Sequence, residues 1–270
     1  MDLSLQITDI SNDTFIWGPW INGFIKAPKL QVLYHDLEKI NQDLLSGNGA
    51  DICKVSFQIL PEISHEYVLL SVGSTIVDGL TPKIVSKKKF SQDETCNKSL
   101  AIPGFNTTAY LLTTSFLPSF ANISCVAFDK LKQKVNSGEF DAALLIHESS
   151  LSLKDQNLIE VFNLGSMWKE KTQNLPIPLG GVVVRRSLGE KTIHIIKKNL
   201  ELSLKYARDN YDQSIDYVLS KSKVKDMHSI QNGIRHWVND ETMKISPKGY
   251  KSIAFLGDLY KKKLTNHFEN

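Results

Sequence analysis

A histidine and a glutamate, His147 and Glu148, follow directly on an apolar run at residues 142–146. A short apolar run after a glycine-containing turn predicts a buried strand, and in open α/β sheets ligands bind beyond the carboxyl ends of strands. An imidazole has an ordinary pKa of about 6.5, so His147 in that place has the chemistry of a general acid or base. The alternative is an ordinary strand-end histidine that is bonded to a neighbouring loop.

Three further polar clusters stand at predicted junctions between a strand and a helix: SNDTF at residues 11–15, KVSF at 54–57 and GFNTTAY at 104–110. A Ser, Thr or Asn at such a junction caps the helix and stabilises it by about 1 kcal/mol. The same geometry leaves backbone N–H groups and the positive end of the helix dipole free to bind a carboxylate or phosphate. Both interpretations stay open for each cluster, and only Thr107 and Thr108 follow a Pro-Gly turn that brings backbone close to a ligand.

Several kinds of chemistry have no support in the sequence. There is no GxGxxG, no GxxxxGK[ST] and no GxSxG, so neither a nucleotide cofactor nor an elbow-type serine nucleophile is expected. The three cysteines are widely spaced without a CxxC pair, and the seven histidines form no HxxxH pair. We therefore expect no cofactor and no metal.

The elements that would position these groups alternate between strands and helices. LQVLYHD, DICKV and EYVLLSVG are predicted strands in the first half, with a helix over DLEKINQDLLSG and a short helical segment over SFQILPEIS. In the second set, KSLAIPG and DAALLIHE are predicted strands, and NTTAYLLTTSFL and FDKLKQKVNSG are predicted helices. Such alternation favours βαβ units and a mainly parallel sheet.

Two segments of the chain resemble each other. LEKINQDLLSGNGADICKVS and FDKLKQKVNSGEFDAALLIHE both run from a helix through Ser-Gly and an acidic residue into an apolar strand with a polar end. Any two αβ units share some of this pattern, which is one explanation. The other is a chain of two similar α/β lobes that present polar strand ends to a shared cleft, a usual place for a small ligand.

The rest of the chain completes two lobes rather than two independent domains. LPIPLGGVVVRR is predicted to cross back between the lobes, and the segments after it are helical, with Ile193, Ile196, Leu200 and Leu204 at helical spacing. We expect one lobe from residues 1–86 and 184–270 and the other from residues 87–183, with crossings near residues 83–89 and 181–186.

Composition excludes other classes of protein. The chain has 270 residues, 41% hydrophobic and 23% charged, with a net charge of +3 that is too small to indicate a nucleic-acid surface. The start has no basic region followed by a long apolar core, and the apolar runs are too short to span a bilayer. We expect a cytoplasmic protein with a small-molecule ligand and no nucleic-acid or membrane partner; the oligomeric state is not determined by the sequence.

Six motifs, in this order and at these spacings, resemble the 1,4-dihydroxy-6-naphthoate synthase family of the futalosine route to menaquinone: SNDTF, KVSF, AIPGFNTTAYLL, DAALLIHE, NLGSMW and LPIPLGG. Each motif is weak by itself, and the six in register make the resemblance specific. It extends from Asn12 to about Leu256.

The resemblance implies a fold, a reaction and a site. The fold is α/β, a two-lobed type II periplasmic-binding-protein-like fold with a central cleft. The reaction is a carbon–carbon lyase step that converts cyclic dehypoxanthine futalosine into 1,4-dihydroxy-6-naphthoate and releases the remainder of the sugar without a cofactor. The implied acid–base group is His147. The motifs place substrate-binding residues at Asn12, Asp13, Thr14, Lys54, Ser56, Thr107, Thr108, Pro178, Leu179 and Gly180.

The family's substrate and product both carry an aromatic carboxylate, whose removal from water must be offset by hydrogen bonds. No arginine stands within the polar clusters. The expected donors are therefore the backbone N–H groups and hydroxyls of Thr107 and Thr108, with Ser56 as a third donor from the other lobe.

Three alternatives compete with this function. The first is the sibling enzyme chorismate dehydratase, and the second is a solute-binding module without chemistry. The third is a divergent relative that has lost activity, because SSLS at residues 149–152 replaces the Arg-Phe-x-Tyr that often follows the His-Glu pair in this family. The NDTF start and the IHE strand end favour the naphthoate synthase.

Overall fold

A computed structural model describes residues 2–79, 81–146, 157–222 and 226–268, with side chains as far as residue 261. These residues form eleven strands: β1 (Leu3–Ile7), β2 (Leu30–Tyr34), β3 (Ile52–Ser56), β4 (Tyr67–Leu69), β5 (Thr75–Val77), β6 (Lys83–Ser86), β7 (Ser99–Ile102), β8 (Asn122–Cys125), β9 (Ala142–Leu145), β10 (Ile159–Asn163) and β11 (Ile177–Arg185).

Eleven α-helices belong to the same part of the chain: α1 (Ser11–Ile21), α2 (Leu37–Leu45), α3 (Leu60–Ile63), α4 (Thr108–Phe116), α5 (Leu131–Asn136), α6 (Leu164–Thr172), α7 (Gly189–Asp209), α8 (Tyr211–Lys221), α9 (Met227–Trp237), α10 (Asp240–Met243) and α11 (Pro247–Phe268). Short 3₁₀ turns precede α3, α5 and α7. Every strand and helix predicted from the sequence is present, with ends that shift by a few residues.

The strands form two mixed sheets. In the first, of order β2-β1-β3-β11-β4 with β5 also on β11, β1 is parallel to β2 and β3, and β11 is antiparallel to its three neighbours. In the second, of order β10-β6-β9-β7-β8, β7 is parallel to β8 and β9, and β6 is antiparallel to β9 and β10. The predicted βαβ units are confirmed, because β1 is parallel to β2 and β3, and β7 is parallel to β8 and β9. The sequence did not predict the antiparallel strand of each sheet, β11 in the first and β6 in the second, which makes both sheets mixed.

The two sheets share one topology, which makes the two lobes similar. In each, the first local strand is central, the second lies on its outer side, and the third lies beside the antiparallel crossing strand: β1, β2, β3 and β11 in one lobe, β7, β8, β9 and β6 in the other. Helices α1 and α4 follow the first strands, and α2 and α5 precede the third. The predicted similarity of the two αβ segments is thus part of a larger repeat.

A reciprocal serine–aspartate pair occurs at the same place in both lobes. In the first, the Ser4 amide and hydroxyl donate to the Asp51 carboxylate at 2.9 and 2.8 Å, and the Asp51 amide donates to Ser4 Oγ at 2.9 Å. Ser99 and Asp141 repeat these bonds at 2.8, 2.9 and 2.9 Å. Since each pair joins the start of the first strand to the residue before the third, it fixes the register of two parallel strands.

The chain changes sheet between β5 and β6 and again between β10 and β11. The division into residues 1–86 with 184–270 and residues 87–183 stays a prediction. Strand β6 already pairs in the second sheet, and the whole of β11 pairs in the first sheet. Both changes of sheet therefore come earlier in the chain than the predicted lobe boundaries. An apolar strand fits either sheet equally well by its sequence, and only the pairing decides which one it joins.

A continuous core connects the two lobes. Phe57, Ile76 and Ile177 of the first sheet's lobe share one buried cluster with Leu100 and Trp168 of the second. The predicted face of α7 is confirmed, because Ile196, Leu200 and Leu204 are fully buried against α1 and the first sheet, with Ile193 packed beside them. In the described part of the chain, no helix combines the length and the apolar character that a transmembrane span requires.

We predict that Asp141→Ala lowers the free energy of unfolding by about 1 kcal/mol at pH 7, because it removes the acceptor of two bonds from Ser99. The Ser99 amide hydrogen bond lowers the pKa of Asp141. The contribution is therefore complete above the unfolded-state pKa of about 4 and is lost as the pH falls through the lower folded-state value.

Urea unfolding at pH 7, 5 and 3.5 measures this. The difference in the free energy of unfolding between wild type and Asp141→Ala should stay constant from pH 7 to pH 5 and become smaller at pH 3.5. The matched control is Asp129→Ala, since Asp129 is an exposed carboxylate whose nearest cation, Lys130 Nζ, is 3.9 Å away. A gap for Asp141→Ala that is as wide at pH 3.5 as at pH 7 contradicts the charge-dependent account.

Candidate functional site

Polar side chains from β1, α1, β3 and β5 meet at the carboxyl edge of the first sheet. The centre of this group is Lys54, whose side chain is 4% exposed and whose Nζ lies 3.0 Å from Asp13 Oδ1. Lys54 Nζ also donates to Thr75 Oγ1 at 3.0 Å. The other oxygen of Asp13 accepts the Thr8 hydroxyl at 2.7 Å. A buried ammonium requires such a partner, because an unpaired charge inside a protein is costly.

Asn12 completes this group, which we call the lysine cluster: Asn12, Asp13, Lys54 and Thr75. Its Nδ2 donates to Asp13 Oδ1 at 3.2 Å and to Thr75 Oγ1 at 3.4 Å. Its Oδ1 is buried and has no hydrogen-bond partner among the described residues. Sequence analysis singled out three of these four residues, and the structure brings them into direct contact.

The SNDTF motif does not cap its helix through a side chain. The N-cap of α1 is Ile10, which makes no side-chain cap bond. Thr14 donates its hydroxyl to the Ile10 carbonyl at 3.0 Å, so this hydroxyl is already used within the helix. Asn12 and Asp13 are thereby free to serve the lysine cluster, whereas Thr14 points to backbone and not to a partner in the site.

A second group centres on Asn41, which is fully buried on α2. Its Nδ2 donates to Ser56 Oγ at 3.0 Å and to the Asn106 carbonyl at 2.9 Å, while its Oδ1 accepts the Ser56 amide at 3.0 Å. Ser56 therefore uses its oxygen as an acceptor, and its hydroxyl proton has no acceptor among the described residues. One amide thus orients a strand end of the first lobe and holds a loop of the second.

Other bonds join the two lobes beside Asn41. The Glu38 carboxylate accepts the Asn106 amide at 2.9 Å and the Asn106 side chain at 2.8 Å, and Gln58 Nε2 donates to the Phe105 carbonyl at 3.0 Å. Gly104 is required here, since a Cβ at that position would collide with the Glu38 side chain. These contacts hold the loop before α4 against the end of β3.

The start of α4 has free backbone donors but no free hydroxyls. Thr107 is a true N-cap, because its Oγ1 accepts the Tyr110 amide at 3.3 Å and donates to the Gly104 carbonyl at 2.9 Å. The Thr108 hydroxyl donates to the Leu179 carbonyl at 2.8 Å and accepts the Gln58 amide at 3.3 Å. The amides of Thr108 and Ala109 have no acceptor among the described residues, as expected for a first helical turn.

Strand β11 brings the LPIPLGG motif to both groups. Gly180 is paired with Ser56 and with Thr75, and the register of the β5–β11 pairing shifts between Pro178 and Gly180. A Cβ at Gly180 would lie 2.5 Å from the Val55 carbonyl, so glycine is required for this close pairing. Leu179 contributes its carbonyl to Thr108, and Pro178 pairs with Ile76 beside Thr75. The motif supplies backbone and space rather than side-chain chemistry.

The predicted acid–base residue, His147, lies with residues 148–156 outside the residues that the structure describes. Strand β9 ends at Leu145, one residue short of the gap. Another reactive group can be excluded on physical grounds. Burial raises the pKa of the Cys53 thiol to about 12, so this thiol stays protonated near neutral pH and is a poor nucleophile.

Sequence reasoning did not single out six residues of these groups: Thr8, Glu38, Asn41, Gln58, Thr75 and Asn106. Asn41 had a usable signal, because it follows Leu37 by four residues and precedes Leu44 by three, on the apolar face of α2. A polar residue on such a face indicates a specific buried partner. Thr75 had no signal, since its role depends on β5 pairing with β11 across about a hundred residues of chain.

The family comparison and a curated relative agree with each other. The profile of the family described as "Menaquinone biosynthesis" matches residues 3–262. A curated relative from Thermus thermophilus, named 1,4-dihydroxy-6-naphthoate synthase, is 29% identical over 255 residues, which cover 94% of this chain and 92% of that protein.

Solved structures show the same fold. A protein of Archaeoglobus fulgidus superposes with a TM-score of 0.91 at 26% identity, over 97% of both chains. The alkanesulfonate-binding protein of Xanthomonas axonopodis pv. citri, solved with MOPS, superposes with a TM-score of 0.70 at 13% identity, over 97% of this chain and 92% of that one. The two-lobed periplasmic-binding-protein-like fold implied by the motifs is confirmed.

We predict that Lys54→Met lowers the free energy of unfolding by about 3–5 kcal/mol, because it leaves the Asp13 carboxylate buried without its cation. Denaturant unfolding with a fixed m-value measures the loss. The control is Lys39→Met, which breaks an i,i+4 pair whose lysine side chain is 51% exposed and should cost about 0.5 kcal/mol or less. A Lys54→Met protein as stable as Lys39→Met contradicts a charged buried pair.

Proposed function

The chain belongs to the menaquinone biosynthesis family, and from this premise we propose that it is a lyase that converts cyclic dehypoxanthine futalosine into 1,4-dihydroxy-6-naphthoate. In the proposed step a carbon–carbon bond breaks, the ring becomes aromatic, and the remainder of the sugar leaves without a cofactor. The name of the Thermus thermophilus relative supports this assignment.

The observation that carries the proposal is the set of three free donors where the lobes meet. The Ser56 hydroxyl proton and the amides of Thr108 and Ala109 lack acceptors among the described residues, and Asn41 and Gln58 hold their two segments together. Backbone amides at a helix start bind carboxylates well, because the helix dipole adds to the hydrogen bonds. We assign this place to the carboxylate of the substrate's aromatic part.

This assignment refines the donors expected from the sequence. The hydroxyls of Thr107 and Thr108 already donate to the carbonyls of Gly104 and Leu179. In our proposal these hydroxyls shape the turn, and the backbone amides of Thr108 and Ala109, together with the Ser56 hydroxyl, contact the ligand.

His147 is proposed as the acid–base group that takes up and returns protons during the cleavage. Its place in the chain supports this role, since it comes two residues after the carboxyl end of β9, the third strand of the second lobe, where ligands bind in open α/β sheets. An imidazole is half protonated near neutral pH and serves in both directions of proton transfer.

One experiment separates this function from its alternatives. Purified protein is incubated with cyclic dehypoxanthine futalosine and, separately, with chorismate, and the products are identified by mass spectrometry. Formation of 1,4-dihydroxy-6-naphthoate supports the proposal. Turnover of chorismate indicates the dehydratase, and binding of either compound without turnover indicates a solute-binding module or an inactive relative.

We predict that His147→Ala lowers kcat by about 10²–10⁴-fold and leaves the unfolding midpoint and the affinity for the naphthoate product nearly unchanged. A general acid or base contributes mainly to the barrier and little to ground-state binding. The control is His65→Ala, which changes an exposed histidine. Near-normal turnover of His147→Ala, or loss of its fold, would return this histidine to a structural role.

We predict that Ser56→Ala raises the Kd for 1,4-dihydroxy-6-naphthoate about tenfold, since a hydrogen bond to a charged group contributes about 1.5–3 kcal/mol. The Kd for 1,4-dihydroxynaphthalene, which lacks the carboxylate, should change much less. Titration calorimetry measures both. The control is Ser86→Ala, because Ser86 is a buried strand-end serine whose hydroxyl donates to the Asp141 carbonyl. Equal weakening of both ligands would place the carboxylate elsewhere.

A further inference from the structure

The lysine cluster has hydrogen-bonding capacity that the protein does not use. Lys54 Nζ has three N–H donors, and Asp13 and Thr75 take two of them. Thr75 Oγ1 accepts from Lys54 and from Asn12, while its own proton has no acceptor among the described residues. Asn12 is 1% exposed, and its Oδ1 is without a donor in the same part of the chain.

The orientation of the Asn12 amide follows from its neighbours. Its Nδ2 lies 3.2 Å from the Asp13 carboxylate, which can only accept. Exchanging the two amide atoms would bring the carbonyl oxygen against that carboxylate, so the oxygen must face away from Asp13. A buried acceptor without a donor is unfavourable, and a ligand that supplies the donor removes the penalty.

The unused groups select one chemical class of ligand. The cluster pairs one ammonium with one carboxylate, so it has no net charge to offer to an ion. It presents two donors, on Lys54 and Thr75, together with one acceptor, on Asn12. A hydroxyl group both donates and accepts, whereas a carboxylate only accepts and an ammonium only donates. Two neighbouring hydroxyls match the set.

The cluster lies at a defined distance from the donors assigned to the carboxylate. Lys54 and Ser56 are two residues apart on β3, and alternate strand residues are about 7 Å apart on one face of a sheet. The residues between and before them, Val55 and Cys53, pack on the other face in the core beside α2. A ligand with a carboxylate at one end and hydroxyls at the other spans these two places.

We infer that Asn12, Lys54 and Thr75 form a subsite for the hydroxyl-bearing, sugar-derived part of the substrate. This inference rests on the proposed function, in which that part is present in the substrate and absent from the naphthoate product. The subsite therefore contributes to substrate affinity and not to product affinity. It favours release of the naphthoate once the carbon–carbon bond is broken.

The test measures two ligands on each variant. In a His147→Ala background, calorimetry gives the Kd for cyclic dehypoxanthine futalosine and for 1,4-dihydroxy-6-naphthoate. Thr75→Val should raise the Kd for the substrate by about tenfold or more and leave the Kd for the product within about twofold. The matched control is Thr113→Val, since Thr113 is a buried threonine whose hydroxyl donates to the Ala109 carbonyl.

Asn12→Ala is the second variant, used if Thr75→Val does not fold, because it leaves the Lys54–Asp13 pair in place. It should weaken substrate binding with the same selectivity. If the His147→Ala parent still turns the substrate over, kcat/KM replaces Kd for the substrate. Unchanged substrate affinity, or equal weakening of both ligands, overturns the subsite.

The two failures are distinguishable. When the His147→Ala parent binds the substrate, but Thr75→Val does not weaken substrate binding more than product binding, the subsite is wrong and the proposed function stands. When the His147→Ala parent does not bind cyclic dehypoxanthine futalosine and the wild-type protein does not convert it, the proposed function fails and the subsite inference falls with it.

Discussion

A charged lysine inside a protein needs a carboxylate beside it, and much of the first lobe is arranged around this requirement. Lys54 and Asp13 lie on β3 and on the first turn of α1, and their side chains are 4% and 2% exposed. Thr8 at the end of β1 and Thr75 on β5 supply the remaining hydrogen bonds. The pair therefore fixes three strands and one helix relative to each other. Because the two charges cancel, the pair offers no net charge to an ionic ligand.

The contact between the lobes depends on neutral amides and one carboxylate rather than on an apolar surface alone. Asn41 bonds to Ser56 in its own lobe and to Asn106 in the other, and Glu38 receives two bonds from Asn106. Each of these bonds requires a definite distance and direction, whereas apolar packing tolerates sliding. Polar contacts thus set the separation between the end of β3 and the start of α4, where we place the carboxylate.

The repeated topology explains why two similar lobes offer different chemistry. The Ser4–Asp51 and Ser99–Asp141 pairs hold equivalent strands in equivalent register. On this common frame, the first lobe presents Lys54 and Ser56 from its third strand, while the second presents backbone amides from α4. The frame requires only small serine and aspartate side chains at the strand starts, so the strand ends are free to carry different groups.

The sequence by itself determined many of the strands and helices, the family to which the chain belongs, and Asn12, Asp13, Lys54 and Ser56 among the residues that meet at the carboxyl edge of the first sheet. These follow from local patterns: apolar periodicity, glycine stops such as Gly47, and motifs a few residues long. Only the tertiary structure decided that β6 pairs antiparallel in the second sheet and β11 in the first. It also decided that Thr75, Gln58 and Asn106 join the site. Only the tertiary structure decided, too, that the Thr107 and Thr108 hydroxyls bond to carbonyls. A hydroxyl's or an amide's partner depends on chain segments tens of residues away, and local periodicity contains no information about that pairing.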